Sequence, residues 1–363
     1  MSSSRALVIR AVGAFPVLFL AAIIAWSWFA FVVHVCLTSL TAGMAVVLLA
    51  YHGLLVMFVW SYWRVVVADP GSPRQQLGSA PDAPSLPVPP LAPLSLGQLA
   101  AAGEEAESLT AFYNREGAGA GAGSNGGAAL QAPRLQDAGR AGADVGSGGL
   151  QDIEQGLGAA PPPWFVSHEV KRNGQPRFCA KCGVFKPDRC HHCSVCERCT
   201  LKMDHHCPWV NNCVGFGNYK YFLLFLFYGT AYCLFVFLVS LFRIWSPLTG
   251  AVDVDAFMDL HGLLLVFVAG TFSICMIIFA SLHAYYVAIN ATTIEVMEGG
   301  RLVHINRGIF RVPPNINIYS LGMRRNLEQV FGRDRWLWLL PVPSTLGDGF
   351  TFPLNQDQLD RLE

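Results

Sequence analysis

The stretch LKMDHHCPWVNNC, residues 201–213, sets a carboxylate, two imidazoles and a thiol side by side as Asp204-His205-His206-Cys207. Two chemistries compete for Cys207. Bound to zinc, its thiolate would be spent on structure. Free of metal, it would be a nucleophile with His205 as base and Asp204 orienting that base. Nearby zinc and histidine would also lower the thiol pKa toward the reactive range. The surrounding segment, CAKCGVFKPDRCHHCSVCERCTLKMDHHCPWVNNC, holds eight of the eleven cysteines, with His191, His192, His205 and His206 among them. C-x-x-C pairs at 179/182, 190/193, 193/196 and 196/199 offer the bite that tetrahedral zinc accepts. Twelve donors suffice for three sites by count and fill two more comfortably, with four left over. The overlapping pairs permit several wirings, so spacing leaves Cys207 open between ligand and nucleophile.

The elements that must position this segment are written in the hydrophobicity. The 363-residue chain is 53% hydrophobic and 14% charged, with a mean hydropathy of +0.39, unusual for a soluble protein. Four runs are long and apolar enough to cross a membrane: Ala14 to Cys36, Leu40 to Trp63, Tyr221 to Phe242 and Leu260 to Ile289. Buried core helices of that length would carry a polar stripe, and none of these does. The first run is too long for a signal-peptide core and lacks a small-residue cleavage site, so it reads as retained. Two Lys or Arg precede the first span, fourteen lie between the second and third, eight follow the fourth, and Arg243 alone has the other parity. The positive-inside rule therefore places both termini and the middle segment in the cytosol. Cytosolic thiols stay reduced, which argues against a disulfide framework. A net charge of zero gives no electrostatic pointer to nucleic acid.

The predicted organisation is thus a polytopic α-helical membrane protein with a cytosolic two-zinc cysteine-rich domain. Residues 1–68 carry the N-terminus and helices 1 and 2. Residues 69–163 begin with the turn Asp69-Pro70-Gly71 and continue as a disordered Ala/Gly/Pro-rich linker, with a short helix around Leu94 to Tyr113. Order resumes near Trp164 in the metal module (164–218), followed by helices 3 and 4 (219–290) and a mixed C-terminal region (291–363). Thirty-five residues of Cys-rich sequence have no core of their own, so metal must organise them. The apolar RWLWLLPVP segment, residues 335–343, is expected against the module or at the membrane interface.

These residues resemble the DHHC protein S-acyltransferases, or palmitoyltransferases. The likeness runs through residues 179–222 with the signature Asp204-His205-His206-Cys207. It extends to Asp69-Pro70-Gly71, to Thr292-Thr293-Ile294-Glu295, and to Asn326 with Val330-Phe331-Gly332. The resemblance implies two structural zinc ions, one on Cys179, Cys182, His192 and Cys199, the other on Cys193, Cys196, His206 and Cys213. It leaves Cys190, His191, His205 and Cys207 unassigned to metal and makes Cys207 the acylated nucleophile, His205 its base and Asp204 the orienting acid. It implies long-chain acyl-CoA as co-substrate, membrane-associated proteins as acceptors, and residence in the endomembranes (Golgi or endoplasmic reticulum, with the plasma membrane as alternative).

An apolar acyl chain should extend into a cavity among the spans. Trp209 is expected at its mouth and Ser27 with Tyr232 at its far end, unless these are ordinary packing polars between spans. Lys186, Arg189 and His191 are the candidates to meet the CoA phosphates. Thr293 and Asn326 are expected to brace the site by hydrogen bonds, local C-terminal folding being the alternative. Rival readings fit less well. A RING-type zinc module needs a longer gap between its first ligand pairs and no Asp-His before a cysteine. A channel or transporter would place ionisable residues in its spans, where His283 is nearly alone.

Overall fold

A backbone without water around it must satisfy its own polar groups, and the four apolar runs accordingly form long helices. The computed structural model describes residues 3–37, 41–73, 161, 165–248, 260–298, 300–305 and 308–362. Helix α1 (Ser3–Phe29) continues as a π-helical stretch, Ala30–Cys36. It is followed by α2 (Ala42–Val67), α3 (Tyr219–Leu248) and α4 (Leu260–Ala288). The membrane-length parts are Gly13–Cys36, Ala42–Val67, Tyr219–Trp245 and Leu260–Ala288, within a few residues of the predicted spans. Half of the third span is buried, against 22, 11 and 17% for the others, so α3 is the central helix on which α2 and α4 pack. Large apolar side chains are exposed along all four spans, as lipid-facing helices require. The expected linker and its short helix lie outside the described residues, apart from Ser72, Pro73 and Pro161, as does Trp164.

Between α2 and α3 stand three short antiparallel hairpins: β1–β2 (Phe178–Cys179, Val184–Phe185), β3–β4 (His191–Cys193, Arg198–Thr200) and β5–β6 (His205–Cys207, Asn212–Val214). Beyond α4 come α5 (Thr293–Met297), a fourth hairpin, β7–β8 (Arg301–Ile305, Gly308–Val312), then α6 (Met323–Phe331) and α7 (Gln356–Leu359).

The C-terminus of α2 is fixed to the third hairpin. Asn212 Nδ2 donates to the carbonyls of Val65, Val66 and Ala68 at 3.2, 3.3 and 2.9 Å, satisfying the orphan acceptors of a helix end. Asp69 Oδ1 accepts from Gly71 N (2.9 Å) and from Arg198 (2.7 Å). The Pro70 carbonyl accepts from Gly217 N (3.0 Å). A side chain at Gly217 would put its Cβ 2.4 Å from the Asp69 carbonyl, so that close approach requires glycine. At the other end of the segment, RWLWLLPVP lies along the start of α3. The buried Lys220 Nζ donates to the carbonyls of Leu337 (2.7 Å) and Val342 (3.0 Å), and Tyr228 donates to that of Leu339 (2.7 Å).

Candidate active site and metal clusters

The three hairpins repeat every fourteen residues. Cys179, Cys193 and Cys207 each open a knuckle, and the residue four further on is left-handed each time: Gly183 (φ 64°), Glu197 (φ 52°) and Asn211 (φ 49°). Each Cys-x-x-Cys knuckle joins an opposed His/Cys pair on the following hairpin. Cys179 and Cys182 meet His192, which lies directly across from Cys199; Cys193 and Cys196 meet His206, directly across from Cys213.

Within each cluster all donor atoms lie within 4.8 Å of one another. His192 Nδ1 is 3.6, 3.2 and 3.9 Å from the sulfurs of Cys179, Cys182 and Cys199. His206 Nδ1 is 3.3 and 3.9 Å from those of Cys196 and Cys213, and the latter two sulfurs are 3.5 Å apart. Donors about 2.0–2.3 Å from a tetrahedral zinc stand roughly 3.5–3.8 Å from each other, so both sets fit that ion.

The third repeat is incomplete. Val210 stands where Cys182 and Cys196 stand in the first two, and the chain then enters α3 instead of a further hairpin. Cys207 therefore occupies a knuckle position but belongs to neither Cys3His cluster. Strand alternation does the rest. In β5, His206 turns to the second cluster, while His205 and Cys207, two residues apart, share the opposite face. On that face Cys207 is buried in the same apolar cluster as Val210, Val214, Phe222, Phe225 and Tyr232. There it is close enough to His205 to help raise the imidazole pKa.

His205 Nδ1 is 2.6 Å from Asp204 Oδ2, and Asp204 is buried. Asp204 is held in turn by α5: Thr293 N donates to its Oδ1 (3.0 Å), and the Thr293 hydroxyl donates to its backbone carbonyl and lies 3.2 Å from Oδ2. Burial alone would lower the His205 pKa, but the Asp204 carboxylate and Cys207 outweigh it and raise it to about 9. The ring packs edge-on to Phe222, with centroids 5.2 Å apart, and lies 5.8 Å from the ring of His283 on α4.

Thr293 is itself positioned from behind. Thr292 and Glu295 form a capping box at the start of α5. Glu295 then receives Arg189 Nε at 2.6 Å and Nη2 at 2.8 Å, and Arg301 at 3.0 Å. Burial would raise the Glu295 pKa, but Arg189 and Arg301 hold it far below the usual carboxylate range. Arg189 also donates to Asn290 Oδ1 (3.1 Å) and to the Asn290 carbonyl (2.9 Å). A buried arginine, ion-paired to Glu295 and hydrogen-bonded to Asn290, thus ties the zinc module to the end of α4.

Residues 172–300 match the family model of the DHHC palmitoyltransferase. Palmitoyltransferase ZDHHC2 of Homo sapiens is 34% identical over 98% of this chain and 80% of its own. Palmitoyltransferase ZDHHC15 of Xenopus laevis is 34% identical over 94% and 81%, and palmitoyltransferase ZDHHC20-B of Danio rerio 33% over 95% and 84%. The chain belongs to the DHHC palmitoyltransferase family. It is a polytopic membrane enzyme, a protein S-palmitoyltransferase, with two Cys3His clusters suited to zinc.

In this palmitoyltransferase, some of the predicted site residues meet and others do not. Ser27 Oγ and Tyr232 Oη are 2.8 Å apart between α1 and α3, and Tyr51 of α2 adds a third hydroxyl 2.9 Å from Tyr232. Trp209 lies in the third knuckle and is 47% exposed, and its carbonyl accepts from Tyr62. Arg189 is a correction. It was expected to face a CoA phosphate, but it is 1% exposed with its guanidinium committed to Glu295 and Asn290, because the module's contact with α5 needs a buried cation there. Burial, then the charges of Arg177 and Lys186, lower the His191 pKa to about 4. Lys186 is half-buried and makes no ion pair among the described residues. Asn326 makes no hydrogen bond to Asp204, His205 or Cys207 among the described residues. Its Nδ2 donates to the Ala288 carbonyl (2.7 Å) and its Oδ1 accepts from Leu321 N (2.9 Å), which fixes the end of α4 to α6. Sequence reasoning overlooked Asn290, Tyr51, Phe222 and the proximity of His283. The fourteen-residue period was visible in the sequence and would have marked Cys207 as the odd knuckle.

Proposed function

We propose that Cys207 is the acylated nucleophile, that His205 is its base and that Asp204 orients His205. The observation that carries this is the placement of Cys207: outside both metal clusters, on the strand face of His205, at the apolar end of the helix core. With His205 Nδ1 held by Asp204, Nε2 is left for the thiol. The Cys207 proton passes to His205 and the thiolate attacks the thioester carbonyl of a long-chain acyl-CoA; the C–S bond to CoA breaks, and CoA leaves with the proton. An acceptor cysteine on a membrane-associated protein then gives its proton to His205, and its sulfur takes the acyl group, restoring Cys207. One thioester replaces another at each step, and ping-pong kinetics follow. Zinc held by Cys179, Cys182, His192 and Cys199, and by Cys193, Cys196, His206 and Cys213, supplies fold to a module too small for a core of its own.

The acyl chain is read as lying among the spans, with Trp209 near its entrance and the Ser27–Tyr232 pair, joined by Tyr51, at its end. Lys186 and His191 are the remaining candidates of their group for a CoA phosphate. Thr293 acts on Asp204 directly, and Asn326 acts through the end of α4. The charge asymmetry supports a cytosolic active site and cytosolic termini, and the family resemblance points to the Golgi or endoplasmic reticulum. Incubation of purified protein with labelled palmitoyl-CoA tests the central assignment. Label released by hydroxylamine should vanish in Cys207→Ser while about two zincs per chain remain. Zinc loss in that variant would make Cys207 a ligand instead.

A further inference from the structure

Lys202 stands two residues before Asp204 and is 7% exposed. An ammonium offers three N–H donors. Among the described residues its Nζ makes one hydrogen bond, to Asn290 Oδ1 at 3.1 Å. The ring of Phe352 lies 5.8 Å from Nζ and 5.1 Å from the Arg189 guanidinium. Burial lowers the Lys202 pKa to about 7, with Arg189 adding to that effect and Glu295 and Asp204 opposing it. Gln329 of α6 meets the same asparagine, its Oε1 accepting from Asn290 Nδ2 at 3.0 Å. Gln329 Nε2 is buried and has no partner among the described residues. Lys202 and Gln329 both line a small cavity of about 10 Å³, together with Phe216, Phe352 and Thr345. That is about the least space in which one water fits. The C-terminal segment is clipped to α6 beside it: Leu346 N donates to the Gln329 carbonyl at 3.0 Å, and the Thr345 hydroxyl to that of Val330 at 3.1 Å.

We propose that this cavity is a binding site for one internal water, held by Lys202 Nζ and Gln329 Nε2 where the zinc module, the end of α4 and the C-terminal region join. The donors decide what can sit there. A free N–H of Lys202 and the unpartnered amide of Gln329 both need an acceptor, and one water oxygen serves two donors at once. The Thr345 hydroxyl, whose proton goes to the Val330 carbonyl, keeps lone pairs for a hydrogen of the water. Two to four such partners are what a buried water requires. An apolar filling would instead leave a buried cation with a single hydrogen-bonding partner and an amide with an unmet donor, both costly. The joint stands behind the catalytic acid. Lys202 is two residues from Asp204, and Asn290, which Lys202 shares with Gln329, is three residues from Thr293, whose amide holds Asp204.

Crystals of the full-length protein with its structural zinc in place, diffracting well enough to show ordered waters, test this directly. One peak is expected within about 2.7–3.2 Å of both Lys202 Nζ and Gln329 Nε2. A featureless cavity would overturn the site, and an anomalous peak after bromide replaces chloride would overturn the water in favour of an anion. In solution, Val330→Ile tests occupancy, because Val330 lines the cavity and the added methyl group takes the space of the water. It should lower the apparent Tm of the wild-type chain by about 2–4 °C with zinc content unchanged. In a Lys202→Met background, where the cavity no longer holds a cation, the same substitution should cost nothing or stabilise. An equal loss in both backgrounds would mean overpacking, and a gain in the wild-type background would mean a dry cavity; either result overturns the proposal. The crystallographic result decides by itself if Lys202→Met fails to hold its zinc.

Discussion

Asp204→Asn is the sharpest test of the site. Asp204 spends both carboxylate oxygens as acceptors, Oδ1 for the Thr293 amide at 3.0 Å and Oδ2 for His205 Nδ1 at 2.6 Å. An asparagine has one carbonyl oxygen. Whichever way its amide turns, an NH₂ faces either a backbone N–H or His205 Nδ1. The Thr293 amide cannot change what it offers, so the carbonyl goes there and the NH₂ faces the histidine. His205 must then present a lone pair at Nδ1 and carry its proton on Nε2, the tautomer that cannot take a proton from Cys207. In Ser-His-Asp triads the same exchange costs about 10⁴ in kcat, which at ~1.4 kcal/mol per tenfold is about 5 kcal/mol of transition-state stabilisation. The assay is single-turnover transfer from labelled palmitoyl-CoA, with zinc content measured on the same sample. A loss below about tenfold with zinc retained would refute the assignment of His205 as a base held by Asp204.

Other outcomes follow from the same geometry. The His205 pKa is raised to about 9 in the fold from an ordinary 6.5, so its stabilisation is full below about pH 6.5 and is lost as pH rises through 9. The thermal-stability gap between wild type and Asp204→Asn should narrow over that window, and a gap constant with pH would contradict it. Glu295→Gln leaves the buried Arg189 and Arg301 short of a counter-charge and should cost about 3–5 kcal/mol. It would be read as earlier heat inactivation and zinc release, whereas the exposed-pair variant Glu328→Gln should cost under about 1 kcal/mol. Tyr232→Ala should shift preference toward longer acyl-CoA chains in competition assays, and an unchanged preference would remove the Ser27–Tyr232–Tyr51 group as an end-stop. Gly217→Ala drives a Cβ to 2.4 Å from the Asp69 carbonyl and should destabilise the junction by about 1–3 kcal/mol, visible as a lower apparent Tm.

The sequence by itself determined the solvent of each segment and the presence of a metal module. Long apolar runs admit only helices in lipid, and dense Cys-x-x-C pairs admit few uses other than metal. Both follow from composition and local spacing. The sequence also held the fourteen-residue period, which separates Cys207 from Cys179 and Cys193 through Val210. Tertiary structure decided what lies between elements far apart in the chain. Arg189 looks like a free basic residue beside other basic residues, and only the packing of α5 at Glu295, more than a hundred positions away, makes it a buried structural cation. His283 reads as a stray polar residue in a span until the helix packing sets it against His205. Spacing left the zinc wiring open because overlapping Cys-x-x-C pairs are equivalent along the chain. The hairpin register removes that equivalence, setting His192 across from Cys199 and His206 across from Cys213, and strand alternation then turns His205 and Cys207 away from the metal.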